Sequence, residues 1–142
     1  MLVPMINDAY LPEAWLLPPP RITELVLREE LRDSDQSLVA GEIDGVTCGC
    51  VRVRFRDDGA WFGLLAVASP WQGRGLASML VERAESLAGD AGCHTMRLDC
   101  AKEVGMPPFY ESLGYAVERE TAGSYYGDKG PFTLVIMKKD LR

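Results

Sequence analysis

The stretch from residue 61 to residue 100 limits the fold of this chain more than any other part of the sequence. It begins with a nearly continuous apolar run, residues 61–68, and continues through a turn that contains Gly73 and Gly75. An amphipathic helical pattern follows the turn, and a strand with alternating apolar residues follows over residues 94–100. Two strands joined through a helix pair in parallel by a right-handed crossover. The sequence therefore predicts an α/β fold with two parallel central strands.

The helix of this unit is predicted to pack through one apolar stripe and to end at Gly89. The stripe consists of Leu76, Met79, Leu80, Ala84 and Leu87. The start of the helix is typical of an anion-binding site, because its first N–H groups lack partners and lie at the positive end of the helix dipole. Glycine permits a close approach and a positive φ at such a turn. A turn that only connects the strand to the helix explains the same pattern.

Two other nucleotide-binding patterns fit the turn less well. The chain contains no G-x-x-x-x-G-K-[ST] motif, which excludes a Walker A loop. Gly73 and Gly75 form G-x-G and Asp99 lies in the next strand, as in a dinucleotide site, but Ser78 occupies the position of the third glycine. No further strand-helix-strand units follow, so we do not expect a doubly wound sheet.

A second motif follows this unit. Residues 109–115, Phe-Tyr-Glu-Ser-Leu-Gly-Tyr, belong to a predicted short helix that starts with two prolines and ends at Gly114. Together with Gln72-x-x-Gly75-x-Ala77, this segment resembles the GNAT superfamily of acetyl-CoA-dependent N-acetyltransferases. The first match is to the family's Q/R-x-x-G-x-G/A pyrophosphate motif, and the second is to its F-Y-x-x-x-G-F/Y segment.

The resemblance implies one N-acetyltransferase domain over residues 1–142. Its α/β fold would have a twisted mixed sheet, flanking helices and two splayed central strands, with the acetyl donor acetyl-CoA in the gap between them. The family's pantetheine arm pairs with strand backbone that maps to Leu65, Ala66 and Val67. Its pyrophosphate-binding turn maps to Gln72, Gly73, Arg74, Gly75, Leu76, Ala77 and Ser78.

By the same resemblance, Tyr110 is the general acid that stabilises the leaving thiolate of coenzyme A. A phenol has a pKa of about 10 and a thiol of about 8.5, so complete proton transfer would be uphill by about 2 kcal/mol in water. A hydrogen bond to the thiolate therefore serves as well as protonation. The alternative explanation of a tyrosine at this position is packing of its aromatic ring on the sheet.

The general base is assigned to Asp99, which strand alternation directs away from the apolar residues of its own strand. That orientation also fits a carboxylate in bulk solvent. Glu103, in the following loop, is an alternative base or a contact of the substrate. Tyr125 and Tyr126 are predicted to border the acceptor pocket, although a partly exposed turn accounts for them too.

Members of the family normally begin with a strand, whereas residues 2–10 have the pattern of the first helix. The N-terminal edge strand is therefore predicted to be missing. Its absence would leave the neighbouring strand, residues 37–43, with an unpaired edge, and exposed edges pair readily with other chains. We predict a homodimer that covers this edge.

The strand over residues 37–43 is predicted to turn at Asp44-Gly45, a strong two-residue hairpin signal. The apolar parity of the returning strand changes near Gly49, which a β-bulge or burial on both faces would explain. Three alternating arginines of this strand are predicted to form a solvated face: Arg52, Arg54 and Arg56.

Composition excludes several classes of partner. The net charge of -6 provides no basic face for a nucleic acid. The longest apolar run is far shorter than the roughly 20 residues of a membrane-spanning helix. The N-terminal residues lack a signal-peptide pattern, so we expect a cytoplasmic protein. The 4 cysteines are predicted to be buried and reduced, and their spacing indicates no metal site.

Two functions fit these observations. One is transfer of an acetyl group to a primary amine, in a small molecule or at a peptide N-terminus. The other is a catalytically silent acyl-CoA-binding sensor or interaction domain on the same fold. The sequence leaves the acceptor open, because acceptor loops vary most and a fold does not fix a function.

Overall fold

The computed structural model describes residues 2–13, 20–123 and 132–141. Four α-helices occur in these ranges: α1 (Leu2–Ala9), α2 (Glu24–Glu30), α3 (Leu76–Asp90) and α4 (Pro107–Ser112). The described strands are β1 (Gln36–Ile43), β2 (Val46–Arg56), β3 (Gly59–Val67), β4 (Thr95–Ala101), β5 (Ala116–Gly123) and β6 (Phe132–Asp140). Short 3-10 turns lie at Leu11–Glu13, Ser69–Trp71 and Lys102–Val104.

The described strands form one mixed sheet in the order β1-β2-β3-β4-β6-β5. β3 and β4 pair in parallel, and the other neighbours pair in antiparallel fashion. The predicted α/β fold is therefore confirmed, with α3 as the crossover between two central parallel strands. The predicted hairpin is also present, since Asp44 and Gly45 have φ values of 52° and 79° between β1 and β2.

The two parallel strands separate soon after they meet. Their last pair is Trp61 with Arg97, although β3 continues to Val67 and β4 to Ala101. The splayed central strands implied by the family resemblance are therefore confirmed. This separation creates the gap in which the candidate site lies.

A bulge in β2 explains the change of apolar parity near Gly49. Gly41 pairs with Gly49 while Glu42 pairs with Thr47, so Cys48 is an extra residue of β2. Residues 48–51 are all buried, so this part of β2 is also covered on both faces. Both explanations offered by the sequence hold.

A second bulge lies in β3, directly beside the gap. Cys50 pairs with Ala66 and Arg52 pairs with Gly63, so β3 has one more residue than β2 between these pairs. Leu64, within the bulge, has a φ of 51°. A positive φ at a leucine costs on the order of 1–3 kcal/mol, and such strain persists only where surrounding packing enforces it. The side chain of Leu64 is fully buried, which supplies that packing.

The core has two parts, one on each face of the sheet. The α3 and α4 face buries Val51, Val53, Phe62, Leu80, Val81, Ala84, Met96, Leu98, Tyr110 and Tyr115, among others. The α1 and α2 face buries Ile6, Ile22, Leu27, Cys50, Leu64 and Ala66. Within the described ranges, no helix is both long and apolar enough to cross a membrane.

The predicted stripe of α3 was partly wrong. Met79 is 61% exposed, and the buried residues are Leu80, Val81, Ala84 and Ala88. Glu85 points toward the core and accepts hydrogen bonds from Tyr115 and Lys139. A search for apolar residues alone misses such a position and therefore assigns the buried face of the helix to the wrong residues. The helix also continues past Gly89 to Asp90, because Gly92 supplies the left-handed residue, with a φ of 86°.

Two further predictions concern the start of the chain and the cysteines. Among the described elements no strand precedes α1, and β1 lies at the edge of the sheet with β2 as its neighbour. The unpaired edge predicted for residues 37–43 is therefore present. Cys48 and Cys50 are buried as predicted, whereas Cys93 and Cys100 are only half-buried. Burial raises the pKa of the Cys50 thiol to about 12.

Candidate active site

A cleft of about 1220 Å³ opens where β3 and β4 part. It is lined by both strands, by part of β2, by the start of α3 and by α4. Nearly all residues predicted to hold the cofactor line this cleft: Leu65, Ala66, Val67, Gln72, Gly73, Gly75, Leu76, Ala77 and Ser78.

One end of the cleft is formed by the segment from Gln72 to Ser78, which we call the glycine turn. Gly75 is the N-cap of α3, and no side chain caps the helix there. The first backbone bond of the helix runs from the Met79 N–H to the Gly75 carbonyl. The N–H groups before Met79 therefore lack helical partners at the positive end of the helix dipole. This arrangement suits an anion.

The conformation of the glycine turn requires glycine. Gly73 and Gly75 have φ values of 77° and 79°, in the left-handed region that other residues avoid. A Cβ at either position would meet no atom within 4 Å, so backbone conformation and not space selects glycine. The Gln72 side-chain amide fastens the turn to the end of β3 by donating to the Val67 carbonyl at 2.9 Å.

Arg74 is the one predicted cofactor residue that does not line the cleft. Its guanidinium lies 5.0 Å from the ring centroid of Trp71, which does line the cleft. The Arg74 side chain is therefore held against Trp71, at the rim of the site.

Beyond Trp61, no described strand pairs with β3 on its β4 side. Leu65, Ala66 and Val67 lie in this stretch and line the cleft. A strand edge of this kind can pair through its backbone with an extended ligand. The edge leads directly to the glycine turn, so a ligand with an extended arm and an anionic group can contact both.

Tyr110 lies in α4 and is only 8% exposed. Its ring makes edge contacts with Phe62, Phe109 and Tyr115 at centroid distances of 5.9, 5.2 and 6.4 Å. It also lines the cleft. The packing of this ring against other aromatic residues is therefore observed, and the same residue borders the cleft.

Neighbouring polar contacts hold this aromatic group in place. The Tyr115 hydroxyl donates to Glu85 at 2.7 Å, and Lys139 donates to Glu85 at 3.1 Å and to the Leu113 carbonyl at 2.9 Å. Burial, followed by the Glu85 carboxylate, raises the pKa of Tyr115. These contacts tie the end of α4 to α3 and to β6.

Asp99 lies on β4, lines the cleft and is exposed. It stands two residues after Arg97 in β4, just as Gly63 stands two residues after Trp61 in β3. Asp99 and Gly63 therefore face each other across the start of the gap. The carboxylate is placed in the cleft, as expected for a residue that contacts a ligand there.

The structure does not bring Glu103 into the cleft. Glu103 accepts a hydrogen bond from the Thr133 N–H at 3.0 Å, and this bond lowers the pKa of its carboxyl group. Glu103 is absent from the cleft lining, and its contact joins the turn after β4 to the start of β6. The prediction of a substrate contact thus has no support from its position. Tyr125 and Tyr126 lie outside the described residues.

The arginines of β2 were misjudged as a solvated face. Arg52 and Arg54 both form ion pairs with Glu30 of α2, and their side chains are only 12% and 31% exposed. Arg56, which is 45% exposed, pairs with Asp35. All three arginines line the cleft. The alternation of the three arginines showed that they share one face of β2. The sequence did not show that α2 covers this face.

Comparisons with known proteins agree with this geometry. A sequence profile of the acetyltransferase (GNAT) family matches residues 3–115. Curated protein sequences give no match.

Three solved structures illustrate the similarity in fold. The ribosomal-protein-S18-alanine N-acetyltransferase from Escherichia coli is 17% identical, with a TM-score of 0.78 over 98% of this chain and 87% of that one. Spermidine N-acetyltransferase from Vibrio cholerae, solved with CoA and spermine, is 17% identical, with a TM-score of 0.78 over 99% and 88%. The yncA protein from Salmonella typhimurium, solved with acetyl-CoA, is 20% identical, with a TM-score of 0.77 over 99% and 87%. The profile match covers most of the sequence, and the chain therefore belongs to the acetyltransferase (GNAT) family.

Proposed function

We propose that this protein transfers an acetyl group from acetyl-CoA to a primary amine of a small molecule or a peptide N-terminus. The observation that carries the proposal is that one cleft brings together an uncapped helix start, a free strand edge, a tyrosine and a carboxylate. Family membership and neighbours solved with CoA or acetyl-CoA support the same conclusion.

The glycine turn and the edge of β3 fit coenzyme A. The unpaired N–H groups before Met79 would bind the diphosphate, and the backbone of Leu65 to Val67 would pair with the pantetheine arm. Acetyl-CoA supplies a thioester whose C–S bond breaks as the new C–N bond to the amine forms. Backbone N–H groups near Leu65 or Ala66 would polarise its carbonyl, as in an oxyanion hole.

Tyr110 would stabilise the thiolate that leaves. Its hydroxyl can donate a hydrogen bond or a proton in a cleft where the ring is already fixed by its aromatic neighbours. A fixed donor costs little reorganisation when charge develops on sulfur.

Asp99 would receive the proton of the attacking amine. A free alkylamine has a pKa of about 10 and is therefore protonated at neutral pH, so a base or a desolvating site must assist the attack. Asp99 is the predicted base that lines the cleft, and its exposure permits transfer directly or through water.

The test combines binding with turnover. We expect calorimetry to show binding of CoA, and thiol release from acetyl-CoA with some member of a broad amine panel. Tyr110→Phe should lower kcat by about 10- to 100-fold while CoA binding persists. Tight CoA binding with no thiol release across the panel would instead favour the silent sensor, and absence of CoA binding would reject both functions.

We also propose that two chains associate through β1. Its outer edge has no strand neighbour in the described sheet, and backbone groups on such an edge favour pairing with another strand. Light scattering should then give the mass of a dimer. A monomer at high protein concentration would contradict the proposal.

A further inference from the structure

The end of the cleft away from the glycine turn is positively charged, although the whole chain carries a net charge of -6. Besides Arg56, which pairs with Asp35, three arginines in this region line the cleft: Arg21, Arg52 and Arg54. We call them the arginine cluster. A concentration of one charge sign against the overall charge indicates a local role in binding the opposite charge.

Within the described residues, Glu30 is the carboxylate that pairs with members of the arginine cluster. Glu30 accepts hydrogen bonds from both Arg52 and Arg54, the latter at 3.0 Å. Arg21 stacks at 5.0 Å over the ring of Tyr10, and no ion pair joins it to a carboxylate in the described part of the chain. Within the described residues, ion pairs thus supply one carboxylate for three guanidinium groups, and two positive charges have no such partner. Burial, and then the nearby charges of Arg54 and Arg21 against that of Glu30, lower the pKa of Arg52.

Arg52 has hydrogen-bonding capacity to spare. Its Nε is buried and has no partner among the described residues, and a buried donor without a partner is costly. Its guanidinium lies over Gly63, where an added Cβ would come within 2.9 Å of Nη2. The absence of a side chain at Gly63 therefore lets Arg52 extend across β3 to the start of the gap.

Opposite charges flank the gap at this level. Asp99 of β4 faces Gly63, so Asp99 lies on one side and the guanidinium of Arg52 lies on the other. No ion pair joins Asp99 to another side chain within residues 2–13, 20–123 and 132–141. The gap thus presents a negative and a positive group to one ligand.

The arginine cluster is too distant to share the anion of the glycine turn. Arg52 and Arg54 lie three and five residues along β2 from Gly49, which pairs with Val67, where the glycine turn is attached. At about 3.3 Å per residue, these separations are roughly 10 and 17 Å. The two anion-binding ends of the cleft therefore serve different groups.

We propose that the acceptor is an amino carboxylate, such as an amino acid, whose amine approaches Asp99 while its carboxylate binds the arginine cluster. This inference rests on the proposed acetyltransferase function. Guanidinium groups bind carboxylates in planar, charge-assisted pairs, and the uncompensated charge of the cluster strengthens that interaction. The same charge repels a polyamine.

The experiment compares acceptors that differ in one charge. L-amino acids are tested against their primary amides, O-phosphoethanolamine against ethanolamine, and spermidine is added as a polycation. Thiol release gives kcat/KM for each, and calorimetry with CoA present gives binding whether or not turnover occurs. We expect at least one amino acid to exceed its amide by about 10-fold or more, the value of one charged hydrogen bond.

Two variants locate the effect. Arg54→Gln and Arg21→Gln should each lower kcat/KM for the preferred amino acid by about 10- to 100-fold and reduce the preference over its amide. The KM for acetyl-CoA should not change. Arg28→Gln is the matched control, because Arg28 lies on α2 outside the cleft lining and its side chain is 71% exposed.

The outcomes separate this inference from the proposed function. Thiol release with amides, spermidine or O-phosphoethanolamine in preference to amino acids would confirm an acetyltransferase and overturn the amino carboxylate. Weaker CoA binding in the Arg54 variant would also overturn it, since the arginine would then serve the cofactor. If no acceptor turns over, the proposed function fails, and the absence of calorimetric binding by any amino acid overturns the inference as well.

Discussion

Under the proposed function, the two ends of the cleft would bind charge in different ways. At the glycine turn, the binding groups would be backbone N–H groups at the start of α3, presented by a conformation that requires positive φ at Gly73 and Gly75. At the arginine cluster, the binding groups would be Arg52 and Arg54 of β2, which Glu30 holds, and Arg21 of the segment before α2. The geometry of the glycine turn therefore depends on local sequence, whereas the geometry of the arginine cluster depends on contacts between distant parts of the chain.

This difference has energetic consequences. The backbone end loses function when its conformation changes, but it carries no buried charge that must be balanced. The side-chain end contains three guanidinium groups and one carboxylate in a partly desolvated place, so removal of the carboxylate affects stability as well as binding. Substitutions at the glycine turn should therefore change mainly ligand binding, whereas loss of Glu30 at the arginine cluster should change both binding and the free energy of unfolding.

The largest effect is expected from Gly75→Val. Valine at a φ of 79° is strained by about 1–2 kcal/mol, and its side chain projects from the helix start where the diphosphate would bind. We expect CoA affinity to fall about 100-fold, which equals about 2.7 kcal/mol. Calorimetry measures the change.

Gly89→Ala provides the matched control for that experiment. Gly89 also lies in α3, its φ is not in the left-handed region, and an added Cβ meets no atom within 4 Å. Alanine at a helix position should stabilise the protein by up to about 1 kcal/mol and leave CoA affinity unchanged. If both variants lost CoA affinity equally, the result would contradict the proposed binding of the diphosphate at the glycine turn.

The next effect concerns the arginine cluster and stability. Glu30→Gln leaves Arg52 and Arg54 close together without their shared carboxylate, so we expect a loss of about 2 kcal/mol in the free energy of unfolding. Urea denaturation measures it. Glu24→Gln, on the same helix, removes only an exposed pair with Arg28 and should cost at most about 0.5 kcal/mol. If the two variants lost similar amounts of free energy of unfolding, Glu30 would not be needed to balance the charges of Arg52 and Arg54.

The same contrast explains which features the sequence could predict. The turn, its glycines and α3 are contiguous, so local periodicity predicted the crossover, and the motifs that resemble the GNAT family implied the splayed strands and the residues at that end of the cleft. Tyr110 was found in the same way, because its motif includes the helix that carries it. Asp99 followed from alternation within one strand.

The arginine cluster could not be predicted in this manner. Arg52 and Glu30 are 22 positions apart, and only the docking of α2 over β2 brings them together. Alternating charges on a strand are usually solvated, so the pattern favoured the wrong environment. The contact between Glu103 and Thr133 could not be predicted for a related reason, since the two residues are 30 positions apart.

A smaller effect separates two tyrosines of the same aromatic group. Tyr115→Phe removes the hydrogen bond to Glu85 at 2.7 Å, while Glu85 keeps its ion pair with Lys139. We expect a loss of about 1 kcal/mol in the free energy of unfolding and an unchanged kcat. Tyr110→Phe should instead reduce kcat, because it removes the hydroxyl that would stabilise the leaving thiolate. Thermal denaturation and thiol release on the two variants measure the contrast, and matching phenotypes would argue against a chemical role for Tyr110.

The smallest effect is expected at Glu103, whose exposed carboxylate accepts a hydrogen bond from the Thr133 N–H. That bond lowers the pKa of the Glu103 carboxyl in the folded protein, so its contribution to stability is present above the unfolded pKa of about 4.3. The contribution disappears as the pH falls through the lowered value. Glu103→Gln should therefore unfold at slightly lower urea concentration than wild type at pH 7 and at the same concentration at acidic pH. Its KM for the acceptor should stay unchanged, and an increase in that KM would extend the acceptor pocket from the arginine cluster to this turn.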